Sequence, residues 1–210
     1  MPPRYPIQLV ILDERPIMRA GLLACLQDTL DMEVKGEFGT LAACVAASEQ
    51  IQPDIVLIGH LHRGNLTAAI SELKQVSPAL RVVVLSTHGG SARARMAIDA
   101  GADGFMLQSA SAADLAEGLR MVARGHRFLD NATAMEMANS NADDDLRPRE
   151  IEVLRRVAAG RANKQIADEM ATTEGTVKNT MKRILLKLAA ADRTHAVVIA
   201  ARRGFISVHQ

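Results

Sequence analysis

Between Glu174 and Leu188 the chain reads EGTVKNTMKRILLKL. Wound as a helix at ~100° per residue, Val177, Met181, Ile184, Leu185 and Leu188 share one sector. Gly175, Lys178, Asn179, Lys182 and Arg183 fall outside it. One face packs, and the other offers three cations and an amide. Ammonium and guanidinium groups neutralise phosphates and read guanine edges, and an Asn amide reads adenine. A helical stretch from Asn163, its cap, to Ala171 comes before and carries Lys164; Thr172 and Thr173 turn the chain between the two. Two helices, a tight turn and a basic second helix describe a helix-turn-helix. The same pattern equally describes a solvated basic helix in a small bundle.

The charge balance is uneven along the chain. Residues 1–145 hold twelve Lys and Arg against eighteen Asp and Glu, a net −6, and residues 146–210 hold thirteen against six, a net +7. That split points to a polyanionic partner for the C-terminal part only. This part is helical throughout. Pro148 suits a first helical position with Glu150 in the first turn, and Ile151, Leu154, Val157 and Ala158 make one apolar face ended by Gly160. Thr173 caps the basic helix, and a fourth helix runs from Asp192 to Arg203 and stops at Gly204.

The N-terminal part alternates apolar runs with helical spacing. The runs are Ile7 to Leu12, Glu33 to Phe38, Ile55 to Ile58, Val82 to Leu85 and Gly104 to Leu107. Five strand–helix units predict a flavodoxin-like, doubly wound parallel sheet whose site lies at the carboxyl ends of the strands. Aromatics are 2% of the residues, so Ala, Val, Ile, Leu and Met must fill the core. Residues 130–146, DNATAMEMANSNADDDL, have the composition of a linker, with a short helix at Ala132 to Ala138.

Several chemistries are poorly supported. No nucleophile–base–orienter set and no phosphate-binding glycine motif is visible, so an enzyme is not expected. His60, His62 and His88, with Asp13, could surround a metal ion, but they follow no ligand motif and solvated loop histidines are the plainer reading. Gly89-Gly90 reads as a loop in preference to an anion nest. No metal or cofactor is expected. No apolar run reaches the ~20 residues of a membrane span, and Met1 to Pro6 lack the features of a signal peptide. Cys25 and Cys44 lie in helical stretches, read as small buried hydrophobes in a reducing cytoplasm.

From Leu146 to Ile206 the blocks RPREIEVLRRVAAG, NKQIADEM, TEGTVKN, ILLKL and DRTHAVVIAARRGFI resemble the LuxR-type DNA-binding domain. The resemblance implies that the helix from Glu174 enters the major groove, and that the helix from Asp192 mediates dimerisation. The resemblance implies base or backbone contacts from Thr176, Val177, Lys178, Asn179 and Lys182, and the DNA-binding set expected also includes Lys164 and Arg183. Arg147 stands where that family usually has a capping Thr or Ser, and Thr180 where His is common.

The texts LVILDERPIMRAGL, PDIVLIG, VVVLST and AGADGFMLQSAS resemble the receiver domain of NarL/FixJ-class response regulators. The resemblance implies phosphorylation of an Asp after the third strand, Mg²⁺ held with an acidic pair after the first, and a Lys after the fifth. Asp13 and Glu14 match the acidic pair and Ser86 the hydroxyl after the fourth strand. The phosphoacceptor position holds Gly59 and the Lys position Gln108. Asp54 begins its strand, at the wrong end of the sheet. The pocket is therefore expected to be degenerate, with no acyl phosphate formed.

The sequence thus predicts an atypical receiver over 1–128, a linker over 129–145 and a four-helix helix-turn-helix domain over 146–210. The function expected is transcriptional regulation by a cytoplasmic homodimer on double-stranded promoter DNA, without aspartyl phosphorylation. The alternative is a ligand- or metal-sensing receiver-like module with a small molecule or protein partner, in which DNA binding is secondary.

Overall fold

Five apolar runs and one short segment form a parallel sheet in a computed structural model that describes residues 6–61, 66–87, 91–139 and 146–206. The strands are β1 (Ile7–Leu12), β2 (Met32–Phe38), β3 (Ile55–Ile58), β4 (Arg81–Ser86), β5 (Gly104–Leu107) and β6 (Phe128–Leu129). Their order is β2-β1-β3-β4-β5-β6. The helices α1 (Pro16–Gln27), α2 (Leu41–Ile51), α3 (Leu66–Val76), α4 (Ser91–Asp99) and α5 (Ala112–Ala123) connect consecutive strands. Central β3 is buried at every position, whereas edge β2 alternates between inward and solvent-facing residues. Burial on both faces explains why the central strands read as unbroken apolar runs.

The core of this layer joins Leu9, Ile11, Ile55, Leu57, Val83, Leu85, Met106 and Leu119. Ion pairs sit around it: Arg120 grips Asp31 through Nε at 2.7 Å and Nη2 at 3.0 Å, and Lys74 Nζ meets Asp103 at 2.6 Å. The chain leaves β1 toward β2 on one side and returns to β3 on the other. The carboxyl ends of β1 and β3 therefore flank the crevice where such sheets hold their sites. Asp54 lies at the opposite end, where its carboxylate accepts the Gln8 amide at 2.8 Å.

The chain divides into two compact units, one of residues 1–88 with 94–134 and one of residues 135–210 with 89–93. The stretch read as a linker contains the last residue of β6 and the helix α6 (Asn131–Asn139). Cys44 is buried as expected, but Cys25 is exposed: it lies one turn after Gly21 on α1, where there is open space and not packed core.

The second unit holds α7 (Pro148–Ala158), α8 (Asn163–Glu169), α9 (Glu174–Lys187) and α10 (Arg193–Arg202). Helix α9 packs on α7, α8 and α10 through Val177, Met181 and Ile184, with Ile151, Leu154, Ile166, Ala196 and Ala200 also buried. Gly160, at φ 78°, closes α7, its amide donating to the Val157 carbonyl at 3.0 Å. Thr173 caps α9 by accepting the Thr176 amide, and Asp192 caps α10 by accepting that of His195. Asn163 is not a cap: it is the first residue of α8, and Ala162 precedes it. Gln165 compensates by accepting the Ala162 amide at 2.8 Å. Arg147 makes no side-chain cap on α7, yet its own amide donates to Glu150 at 2.8 Å, so half of the capping arrangement survives.

Candidate DNA-binding helix and acidic pocket

The capped start of α9 follows a turn in which Ala171 adopts φ 48° and the Thr172 amide donates to the Ala167 carbonyl at 2.9 Å. This turn sets α8 and α9 as a helix pair with a short joint. Thr176, Lys178, Asn179, Lys182 and Arg183 on α9 are exposed, as is Lys164 on α8. Val177 belongs elsewhere: at 1% exposure its side chain supports the helix from below and does not face outward. Its place in the apolar sector of α9 is the reason. Thr180 is also buried, its hydroxyl donating to the Thr176 carbonyl at 2.9 Å.

The exposed cations differ in their surroundings. Lys178 pairs with Glu174 at 2.8 Å, one turn back along the same helix. Arg183 Nε lies 3.7 Å from Glu150. Lys182 has no ion pair among the described residues. Sequence reasoning gave Glu150 only a helix-start role, but it is 2% exposed and also accepts from Lys187 Nζ at 2.9 Å. It thereby ties the start of α7 to the end of α9. Burial raises its pKa; the Arg147 amide, the Lys187 bond and the charges of Lys187 and Arg183 outweigh burial and hold it below the ordinary glutamate value.

The first unit brings its own residues together at the carboxyl ends of the strands. Asp13, just past β1, is fully buried. Its Oδ1 accepts from the Arg15 amide at 2.8 Å and Arg15 Nε at 3.0 Å. Its Oδ2 accepts from Arg15 Nη2 at 2.8 Å and the His60 amide at 2.9 Å. Burial alone raises the Asp13 pKa; the Arg15 side chain, the His60 and Arg15 amides and the guanidinium charge reverse this and leave it lowered. Gly59 is next to this carboxylate: a Cβ there would lie 2.1 Å from Asp13 Oδ2. Glu14 is exposed, and its amide donates to the His60 carbonyl at 3.0 Å. Ser86 is buried at the end of β4, and its carbonyl accepts the Gln108 amide at 2.8 Å. The Gln108 side chain reaches the Leu85 carbonyl at 3.4 Å. His62, His88 and Gly89-Gly90 lie outside the described residues, and no group of three potential metal ligands occurs among the described ones.

Residues 9–120 match the response regulator receiver domain, and residues 144–200 match the luxR family of bacterial regulatory proteins. The chain is 31% identical to the uncharacterized transcriptional regulatory protein YxjL of Bacillus subtilis, over 95% of this chain and 97% of that protein. The chain is a LuxR-family response regulator. The response regulator protein VraR of Staphylococcus aureus is 29% identical, covering 95% of this chain and 99% of its own. RcsB from Salmonella enterica serovar Typhimurium, solved bound to the promoter P1flhDC with the phosphomimetic BeF₃⁻, shares the fold at a TM-score of 0.69 and 22% identity, over 93% of this chain and 98% of that one. LuxR-family response regulators are DNA-binding transcription factors, and no helix among the described residues is long and apolar enough to cross a membrane.

Receiver domains of response regulators imply a divalent cation at the acidic pair. The residues present do not fit one. Both oxygens of Asp13 are already taken by N–H donors, two of them on a cation.

Proposed function

We propose that this response regulator controls transcription as a two-fold dimer that places α9 in the major groove of promoter DNA, and that its DNA binding is independent of aspartyl phosphorylation. The exposed face of α9 carries the DNA reading. Lys178, Lys182 and Arg183 flank Asn179 on a helix whose opposite side is packed. Cations on that face release counterions from phosphates, while Asn179 and Arg183 can reach base edges. Thr176 and Lys164 lie at the same helix pair. The net −6 of residues 1–145 is repelled by phosphate and leaves the basic part to lead. RcsB, a structural neighbour, is bound to promoter DNA in one solved complex, and RcsB dimers are bound to DNA in another.

The support for independence from phosphorylation is Gly59. An acyl phosphate needs a carboxylate at that position, and Gly59 has no side chain. Gln108 offers an amide where an ammonium would pair with a phosphoryl group, and its Nε2 is directed at the Leu85 carbonyl. The test is footprinting of the full chain on promoter DNA, with and without acetyl phosphate. Protection of two half-sites about one helical turn (~10 bp) apart, unchanged by acetyl phosphate, is expected. Stoichiometric radiolabel accompanied by tighter DNA binding overturns the reading.

One observation favours the ligand-sensing alternative. A largely apolar cavity of about 180 Å³ lies between α1 and α5, lined by Met18, Cys25, Leu85, Gln108, Ser111 and Leu115 among others. A small apolar molecule seated there would shift DNA affinity only by binding two states unequally.

A further inference from the structure

The pocket past β1 is closed from within by the residue that follows its acidic pair. Arg15 sits at the N-cap of α1 with an extended backbone, φ −89° and ψ 113°. That conformation turns both its amide and its guanidinium back onto Asp13. The guanidinium donates through Nε to one carboxylate oxygen and through Nη2 to the other, at 3.0 and 2.8 Å. This is the bidentate fork that binds carboxylates most strongly. Arg19, one turn along α1, donates Nη1 to the Asp13 carbonyl at 2.8 Å. Gly59 supplies the room, because Asp13 Oδ2 fills the volume that any Cβ at position 59 would need.

We propose that the Arg15 guanidinium permanently replaces the divalent cation at Asp13, so that the pocket binds neither Mg²⁺ nor a phosphoryl group. This rests on the phosphorylation-independent reading and supplies its physical cause. Mg²⁺ demands oxygen ligands at ~2.0–2.1 Å in near-octahedral array and keeps several waters. At Asp13 it would have to displace a tethered cation and the two amides that hold the carboxylate. Arg15 and Gly59 thus form a matched set, one giving charge and the other space.

The experiment is a Mn²⁺ titration of the full chain, read by the loss of the free-ion paramagnetic resonance signal, with the Arg15 Nε–H resonance followed by NMR. The wild type is expected to show no saturable site at millimolar Mn²⁺ and a protected Arg15 Nε–H. Arg15→Ala is expected to gain a Mn²⁺ site at least about tenfold tighter than any in the wild type, and Asp13→Asn added to it to abolish that site. Wild-type Mn²⁺ binding that disappears in Asp13→Asn overturns the proposal. So does a folded Arg15→Ala variant that gains no site. Should Arg15→Ala fail to fold, the wild-type titration and the Nε–H protection decide alone. Mn²⁺ binding without radiolabel from acetyl phosphate overturns this inference and leaves the phosphorylation-independent reading standing; radiolabel overturns that reading.

Discussion

Lys187, at the last turn of α9, donates its ammonium to Glu150, at the first turn of α7, over 2.9 Å. Helix α9 is thereby fixed at its far end by a buried carboxylate. Glu150→Gln is expected to destabilise the segment 146–210 by about 1–3 kcal/mol, since the donors left behind lose a charged acceptor. Its DNA affinity should fall with it. The pH dependence has a definite sign. A folded-state pKa held below the ordinary 4.5 contributes stability that is present above that value and is lost as pH falls through the folded value. Thermal melts of the wild-type segment should drop on acidification below pH 4.5, and Glu150→Gln should lose less over the same range. Parallel losses in the two proteins would remove Glu150 from this role.

The position of Gly59 makes a second prediction. Gly59→Ala pushes a methyl into Asp13 Oδ2, 2.1 Å away. The cost is expected at about 1–3 kcal/mol, as for other overpacked sites, measured by denaturant unfolding. Gly59→Asp alone should take no label from acetyl phosphate, because Gln108 remains. Paired with Gln108→Lys it should still label poorly while Arg15 occupies Asp13, and Arg15→Ala added to the pair should raise labelling.

Lys182 and Lys178 should contribute unequally. Lys178 is already paired with Glu174, whereas Lys182 has no such partner among the described residues. Lys182→Ala is expected to weaken DNA binding more than Lys178→Ala and to reduce the salt slope by about 1. Glu174→Gln should tighten binding by releasing Lys178. Fluorescence anisotropy across a salt series measures all three, and equal losses from the two lysines would contradict the difference in pairing.

The two thiols should separate cleanly. Burial pushes the Cys44 thiol up to about 11, with a smaller opposing effect from Ser48. Cys25 is exposed. Iodoacetamide at about pH 8 should therefore label Cys25 in the folded chain and both residues after denaturation, because only the thiolate reacts. Mass spectrometry of the peptides decides, and prompt labelling of Cys44 in the native protein would refute it.

Much of the fold is legible in the amino-acid sequence. The strands at Ile7, Ile55 and Gly104 begin and end where the apolar runs do, because short, predominantly apolar runs fit a sheet covered on both faces. β6 was not legible, since two residues carry no periodicity. On α9 the periodicity marked Val177, Met181, Ile184 and Leu188 as buried, which they are, but it did not mark Thr180, whose hydroxyl is satisfied by the Thr176 carbonyl of its own helix. Asn163 was read as a cap from its type, but the boundary falls one residue earlier because Gln165 already satisfies the Ala162 amide. Gly59 and Gln108 were visible as departures. The turn of Arg15 onto Asp13 was not, because it depends on a backbone angle at the start of α1 that residue identity does not specify.

The two outer strands have a consequence of their own. β2 shows solvent Glu33, Lys35 and Glu37 in alternation, and its pairing with β1 slips by one residue between Leu9 and Val10. At the other margin β6 is two residues long, and the Asp130 carboxylate takes the Leu107 amide that the strand leaves open. Charged, kinked or shortened margins are poor templates for a neighbour's backbone. Copies held at high local concentration are therefore expected to resist joining their sheets edge to edge.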